Sequence, residues 1–80
     1  MAEQEKKIYG ILEDLRPECD FASSNDFIND GLLDSFDVVT LVSELEDAYN
    51  IIIDGLDIVP ENFASTSAIL TTVKKNGGTV

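Results

Sequence analysis

Residues 31–49, GLLDSFDVVTLVSELEDAY, contain the clearest structural signal in the chain. From position 38 onward, apolar residues recur three and four positions apart with acidic residues between them: Val38, Leu41, Val42, Leu45 and either Ala48 or Tyr49. Such spacing places an apolar stripe along one face of a helix. It predicts a helix over 35–50 that packs this stripe against a core.

The start of this helix is marked by an aspartate in the N-cap position. Asp34 precedes the periodic segment and Asp37 follows three residues later, which approximates a capping box with a shorter side chain than the usual Glu or Gln. Ser35 then becomes the first helical residue, with an exposed hydroxyl held in a fixed direction. Serine also occurs at helix starts without any chemical role, so a purely structural Ser35 is the alternative.

A first helix and a long loop precede this segment. The first helix is predicted over 3–15, because Ile8, Ile11, Leu12 and Leu15 share one face. Gly10 weakens that helix by about 1 kcal/mol or marks a close approach of a neighbouring helix. The loop over 16–34 carries apolar residues that are expected to pin it to the core: Phe21, Phe27, Ile28, Leu32 and Leu33.

The C-terminal part of the chain predicts a connector and two more helices. Residues 51–55 are expected to form an extended connector, since no second strand pattern exists to pair with them. A short helix is expected over 57–63, with Pro60 near its first position. A last helix follows over 65–75, opened by Ser65 or Thr66, and 76–80 form a flexible tail. The prediction is a single all-α domain, a small four-helix bundle of three main helices plus one short helix.

Charge restricts the classes of partner. The 80 residues carry a net charge of −11, and twelve acids but no base lie between Pro17 and Val73. Such a surface repels nucleic acid and anionic lipid and attracts a basic protein, although acidic surfaces also serve solubility alone. The lone Cys19, the N-terminal MAEQEKK and the absence of a long apolar run predict a soluble cytoplasmic monomer without membrane insertion.

The residue inventory argues against catalysis by Ser35. The chain contains no histidine, and the nearest potential bases in sequence, Asp34 and Asp37, are weak as ordinary exposed carboxylates. The chain is therefore predicted not to be an enzyme, and Ser35 is predicted to be acted upon. Free N–H groups at the helix start would favour an attached phosphate, whereas the two aspartates oppose it. The sequence leaves that balance open.

Residues 31–49 resemble the attachment site of acyl carrier proteins, in which the serine of an Asp-Ser-apolar motif receives 4'-phosphopantetheine. Gly31, the acidic helix after the serine, the chain length and the absence of histidine add to the resemblance. The resemblance is strong over the second helix. Over the rest of the chain it extends to the order of the elements: helix, long loop, modified helix, short helix and final helix. It implies that Ser35 is the attachment residue and that Asp34 orients the site, helping the metal and coenzyme A bound by a phosphopantetheinyl transferase.

The resemblance also implies how such a carrier works. An acyl or aminoacyl unit is held as a thioester on the prosthetic arm, and loading ligases and downstream acyltransferases or synthases dock through basic patches. The matching surface positions in this chain are Phe36, Asp37, Val39, Glu46 and Asp47. Phe36 departs from the apolar stripe, so it is expected to be at least partly exposed.

The type of carrier stays open. The segments GLLDS and ENFASTSAI (61–69) look like D-alanyl carrier proteins, whereas Asp37 follows fatty-acid carriers, and Phe36 is unusual in both. Thr40 stands where fatty-acid carriers usually have an acid, so fatty-acid, polyketide and aminoacyl pathways remain alternatives. The competing class is an acidic helical adaptor that binds a basic protein without a prosthetic group. A cation sensor is disfavoured because no segment has EF-hand spacing, and no metal site is predicted.

Overall fold

The computed structural model describes residues 3–78. They form three helices, α1 (Glu3–Leu15), α2 (Ser35–Tyr49) and α3 (Thr66–Lys75), with a long α1–α2 loop and three short 3-10 turns. No strand occurs among these residues, so the predicted all-α class, main helices and long loop are confirmed. No helix within 3–78 has the length and apolarity needed to cross a bilayer.

The predicted short helix over 57–63 is wrong. Two 3-10 turns, Gly55–Asp57 and Pro60–Phe63, occupy this region. Between them Val59 is extended, with φ −128° and ψ 149°. The residue before a proline is pushed out of the helical region by the proline ring, so Pro60 begins a new turn and cannot continue the preceding one. Pro60 does stand at the start of its turn, as expected.

One apolar core lies between the helices. The α2 stripe is buried as predicted, and half-buried Tyr49, not exposed Ala48, continues it. The other buried apolar side chains come from α1, α3, the long loop and the segment between α2 and α3: Ile8, Leu12, Phe21, Phe27, Leu33, Ile53, Phe63, Ile69 and Val73. All three helices, the long loop and the α2–α3 segment therefore contribute to the same core, although none is long enough to form one alone.

The long loop is fixed by two phenylalanines. Phe21 and Phe27 are buried and pack edge to face, with ring centroids 5.1 Å apart. The Phe27 N–H donates to the Ala64 carbonyl at 2.7 Å, and the Phe27 carbonyl accepts from the N–H of Leu32 at 2.9 Å. These contacts hold the loop against the segment before α3 and so determine where the chain enters α2.

Asp57, the last residue of the 3-10 turn Gly55–Asp57, connects this turn to the end of α3. Its buried carboxylate accepts from Lys75 Nζ at 2.8 Å and from Asn76 Nδ2 at 3.2 Å. The Lys75 ammonium lowers the pKa of Asp57, and Asn76 adds to this effect. Asn76 also accepts from the Asp54 N–H at 2.9 Å. The connector after α2 is thereby fastened to the C-terminus of the last helix.

The predicted flexible tail, 76–80, lies partly outside the described residues, which end at Gly78. Within the described part, Asn76 caps α3, and the Gly78 N–H donates to the Val73 carbonyl at 2.9 Å. Residues 76–78 therefore close the helix end. At the other end of the chain, a Cβ at Gly10 would meet no atom within 4 Å. No neighbouring helix approaches Gly10 closely, so its effect on α1 is the weakening alone.

Candidate functional site

Ser35 is exposed and is the first residue of α2. Its hydroxyl makes no side-chain hydrogen bond to another residue within the described range, so the oxygen is accessible to another molecule. The predicted exposure of this hydroxyl is confirmed. Because the chain reaches Ser35 from the pinned loop and continues directly into α2, the backbone on both sides of the serine has a defined path.

The predicted capping box is present around Ser35. Asp34 Oδ1 accepts from the Asp37 N–H at 2.8 Å, and Asp37 Oδ2 accepts from the Asp34 N–H at 3.2 Å. The carboxylate of each aspartate therefore accepts the backbone N–H of the other, and the serine lies between them. The shorter side chain of aspartate is sufficient to close the box. About two thirds of the Asp34 side chain remains exposed, at 66%.

A cation from the end of α1 completes the site. Arg16 donates to Asp37 Oδ2 through Nε at 3.0 Å and through Nη2 at 2.7 Å, and its Nη1 donates to Glu18 at 3.3 Å. Arg16 Nη2 also lies 3.9 Å from Asp34 Oδ2. The guanidinium is the main reason why the pKa of Asp37 lies below its ordinary value. Burial opposes this effect but does not overcome it.

Asp37→Asn is expected to lower the unfolding free energy by about 1 to 2 kcal/mol at neutral pH, because it weakens a buried, charge-assisted contact. The folded-state pKa of Asp37 is depressed, so its stabilisation is complete above the unfolded value of about 3.9 and is lost as the pH falls through the folded value. The difference between wild type and variant should therefore shrink in acid. Urea unfolding of both proteins between about pH 7 and about pH 3 measures this.

Protonation of carboxylates in acid also weakens the repulsion among the acidic residues of a chain with net charge −11. This effect is common to wild type and Asp37→Asn, so the difference between their unfolding free energies isolates the contribution of the Asp37 carboxylate. Asp47→Asn, on the exposed face of α2, is the matched control and should change the neutral-pH free energy by less than about 0.5 kcal/mol. A wild-type minus Asp37→Asn difference that stays constant into acid would contradict the role given to the Asp37 carboxylate.

Three of the predicted partner-binding residues lie on the surface. Phe36 is 78% and Val39 is 63% exposed, on the N-terminal half of α2, and Asp47 is exposed nearer its end. Phe36 and Val39 are three positions apart on α2, so the two exposed apolar side chains are neighbours on the helix surface. Partner binding by these residues stays a prediction.

The other two predicted partner-binding residues are engaged within the chain. Asp37 is only 5% exposed and is held by Arg16, so its carboxylate does not lie on the surface. Glu46 is half-buried, and its Oε2 accepts from the Ile53 N–H at 3.0 Å. Glu46 therefore satisfies the backbone of the connector after α2. The expectation that both acids are free surface charges needs this correction.

Sequence reasoning missed two exposed apolar residues and the role of Arg16. Ile52 is 84% and Leu56 is 87% exposed in the segment that follows α2. Alternation along the extended connector was a usable signal for Ile52, because neighbouring side chains point to opposite sides and Ile53 is buried. No neighbouring residue in the sequence indicated the role of Arg16, because its main partner, Asp37, lies 21 positions away.

Comparisons with protein-family models, curated proteins and solved structures gave no match to this chain. Among residues 3–78 there is also no cluster of three or more side chains suited to hold a metal ion. The resemblance of residues 31–49 and the geometry around Ser35 are therefore the basis of the functional proposal.

Proposed function

We propose that this chain is a carrier of the acyl carrier protein type, modified at Ser35 with 4'-phosphopantetheine. The observation that carries the proposal is the exposed Ser35 hydroxyl at the first position of α2, between two aspartates that fix the backbone on either side. In this proposal the two 3-10 turns take the place of the short third helix of the family. The lone Cys19 and the need for coenzyme A support a cytoplasmic location.

The residues around Ser35 fit an attached phosphodiester. Its oxygen is accessible, and the Ser35 and Phe36 N–H groups at the start of α2, which unlike that of Asp37 are not taken by the capping box, favour negative charge. Of the two carboxylates that oppose that charge, Asp37 is paired with Arg16, and Asp34 lies 3.9 Å from the same guanidinium. When bound, the group supplies a terminal thiol on a long arm that carries an acyl or aminoacyl unit as a thioester. Ser35 anchors the arm, and Asp34 holds the turn from which it projects.

Attachment requires a separate transferase and coenzyme A. The bond between Ser35 Oγ and phosphorus forms while the pyrophosphate bond of coenzyme A breaks. The serine proton passes to a base of the transferase, and adenosine 3',5'-bisphosphate leaves. The exposed residues Phe36, Val39 and Asp47 support docking by this transferase and by loading and acyl-transferring enzymes with basic patches.

Incubation of the purified chain with coenzyme A and a broad-specificity phosphopantetheinyl transferase tests this function. A carrier gains one phosphopantetheinyl group, detected by intact-protein mass spectrometry. An acidic adaptor, which the same exposed apolar residues and negative charge would also suit, keeps its original mass. An established acyl carrier protein, modified in a parallel reaction, shows that the transferase is active.

A further inference from the structure

Arg16 is the cation that faces the start of α2. The chain has five cations, and Arg16 alone lies between Lys7 and Lys74. It follows α1 directly, and its N–H donates to the Leu12 carbonyl at 2.8 Å, so the backbone that carries it continues the helical hydrogen bonding of α1. A cation anchored on one helix thus reaches the first turn of another.

One guanidinium fixes the residues on both sides of Ser35. Two of its nitrogens donate to Asp37 Oδ2, and the same oxygen accepts the Asp34 N–H. Arg16 thereby holds the carboxylate that holds the backbone before the serine. Asp34 Oδ1 accepts the Asp37 N–H, so hydrogen bonds in both directions fix the backbone around Ser35. Loss of Arg16 would leave a nearly buried carboxylate without its counter-charge, and the turn would lose its preferred conformation.

Arg16 also changes the charge that an incoming anion meets. Three carboxylates, those of Glu18, Asp34 and Asp37, lie within 4 Å of its guanidinium nitrogens. The donor of the prosthetic group, coenzyme A, is itself strongly anionic. A positive charge among these acids offsets repulsion between the carrier and the donor at close range, where salt screens it least.

We propose that Arg16 is a positioning residue for the modification of Ser35: through Asp37 it holds the Asp34–Ser35 turn ready for transfer and offsets the charge of the flanking acids. This inference rests on the proposed function and deepens it. Arg16 itself is not placed in contact with the reacting atoms, and it acts through the capping box and through its charge among the flanking acids.

Steady-state kinetics of the transferase with wild-type, Arg16→Gln and Arg16→Lys carriers test this inference. Arg16→Gln should lower kcat at saturating carrier about tenfold, the size expected when one charge-assisted contact is lost. Arg16→Lys should recover part of the rate, because it restores the charge but not the forked contact. A role in folding alone would act differently: fewer folded molecules raise the apparent KM for the carrier and leave kcat unchanged. Circular dichroism gives the folded fraction for each variant.

Two further variants make the test specific. Lys6→Gln removes an exposed cation from α1, the helix that Arg16 follows, and should keep the wild-type kcat. The double variant Arg16→Gln/Asp37→Asn should lose little more than the larger single loss, because both residues act through one contact. A wild-type kcat in Arg16→Gln, or losses that multiply in the double variant, would overturn the inference. If the wild-type chain is never modified, the proposed function fails and this inference fails with it.

Discussion

Phe27→Ala is expected to lower the unfolding free energy by about 3 to 5 kcal/mol, the usual cost of removing a buried aromatic side chain. Phe27 is only 1% exposed and packs edge to face on Phe21. A chain of this length has a total stability of about 4 to 12 kcal/mol, so the loss is about a quarter of that stability or more, and at the low end of the range the variant is unfolded at room temperature. Urea unfolding followed by circular dichroism measures the change.

The matched control is Phe36→Ala, which removes the same atoms from a side chain that is 78% exposed. Its unfolding free energy should differ from wild type by less than about 0.5 kcal/mol. The two variants together separate the phenylalanine that pins the loop from the one that faces solvent. Equal losses in both variants would contradict the assignment of Phe27 to the core and of Phe36 to a binding surface.

Ser35→Ala is expected to abolish attachment of the phosphopantetheinyl group while the domain stays folded. The variant lacks the only atom that we assign as the attachment point. Alanine is a strong helix former at this exposed first position, so the unfolding free energy should change by less than about 0.5 kcal/mol. Intact-mass analysis after incubation with coenzyme A and a transferase measures the effect.

Ser43→Ala is the control for this loss, because Ser43 is an exposed serine on the same helix. It should gain the group as wild type does. Modification of Ser35→Ala would show that another residue accepts the group and that Ser35 is not the attachment point. Loss of modification in Ser43→Ala would show that a general change in α2, and not the missing Ser35 hydroxyl, blocks the transferase.

Features that depend on neighbours in sequence could be predicted. The α2 stripe and the capping box of Asp34 and Asp37 involve residues three or four positions apart, so the sequence contains both partners of each contact. The apolar loop residues Phe21 and Phe27 stand out among polar neighbours, and both are buried. These signals were enough to locate three helices, the loop and the exposed serine.

Features that depend on distant partners could not be predicted. Asp37 was expected to face other proteins, since nothing within α2 indicates that Arg16, 21 positions away, takes its carboxylate. Glu46 likewise accepts a backbone N–H seven positions later, across the end of the helix. The wrong short helix has a local cause: Pro60 suits a first helical position, but its ring also pushes Val59 into an extended conformation that separates the two turns.

Whether Ser35 anchors a prosthetic arm is decided by the intact mass of the protein purified from its native host, followed by mapping of the modified peptide. We expect a population that carries one phosphopantetheinyl group, alone or with an acyl or aminoacyl unit, on the peptide that contains Ser35. An unmodified mass in the native host, or a group mapped to a different residue, would contradict it.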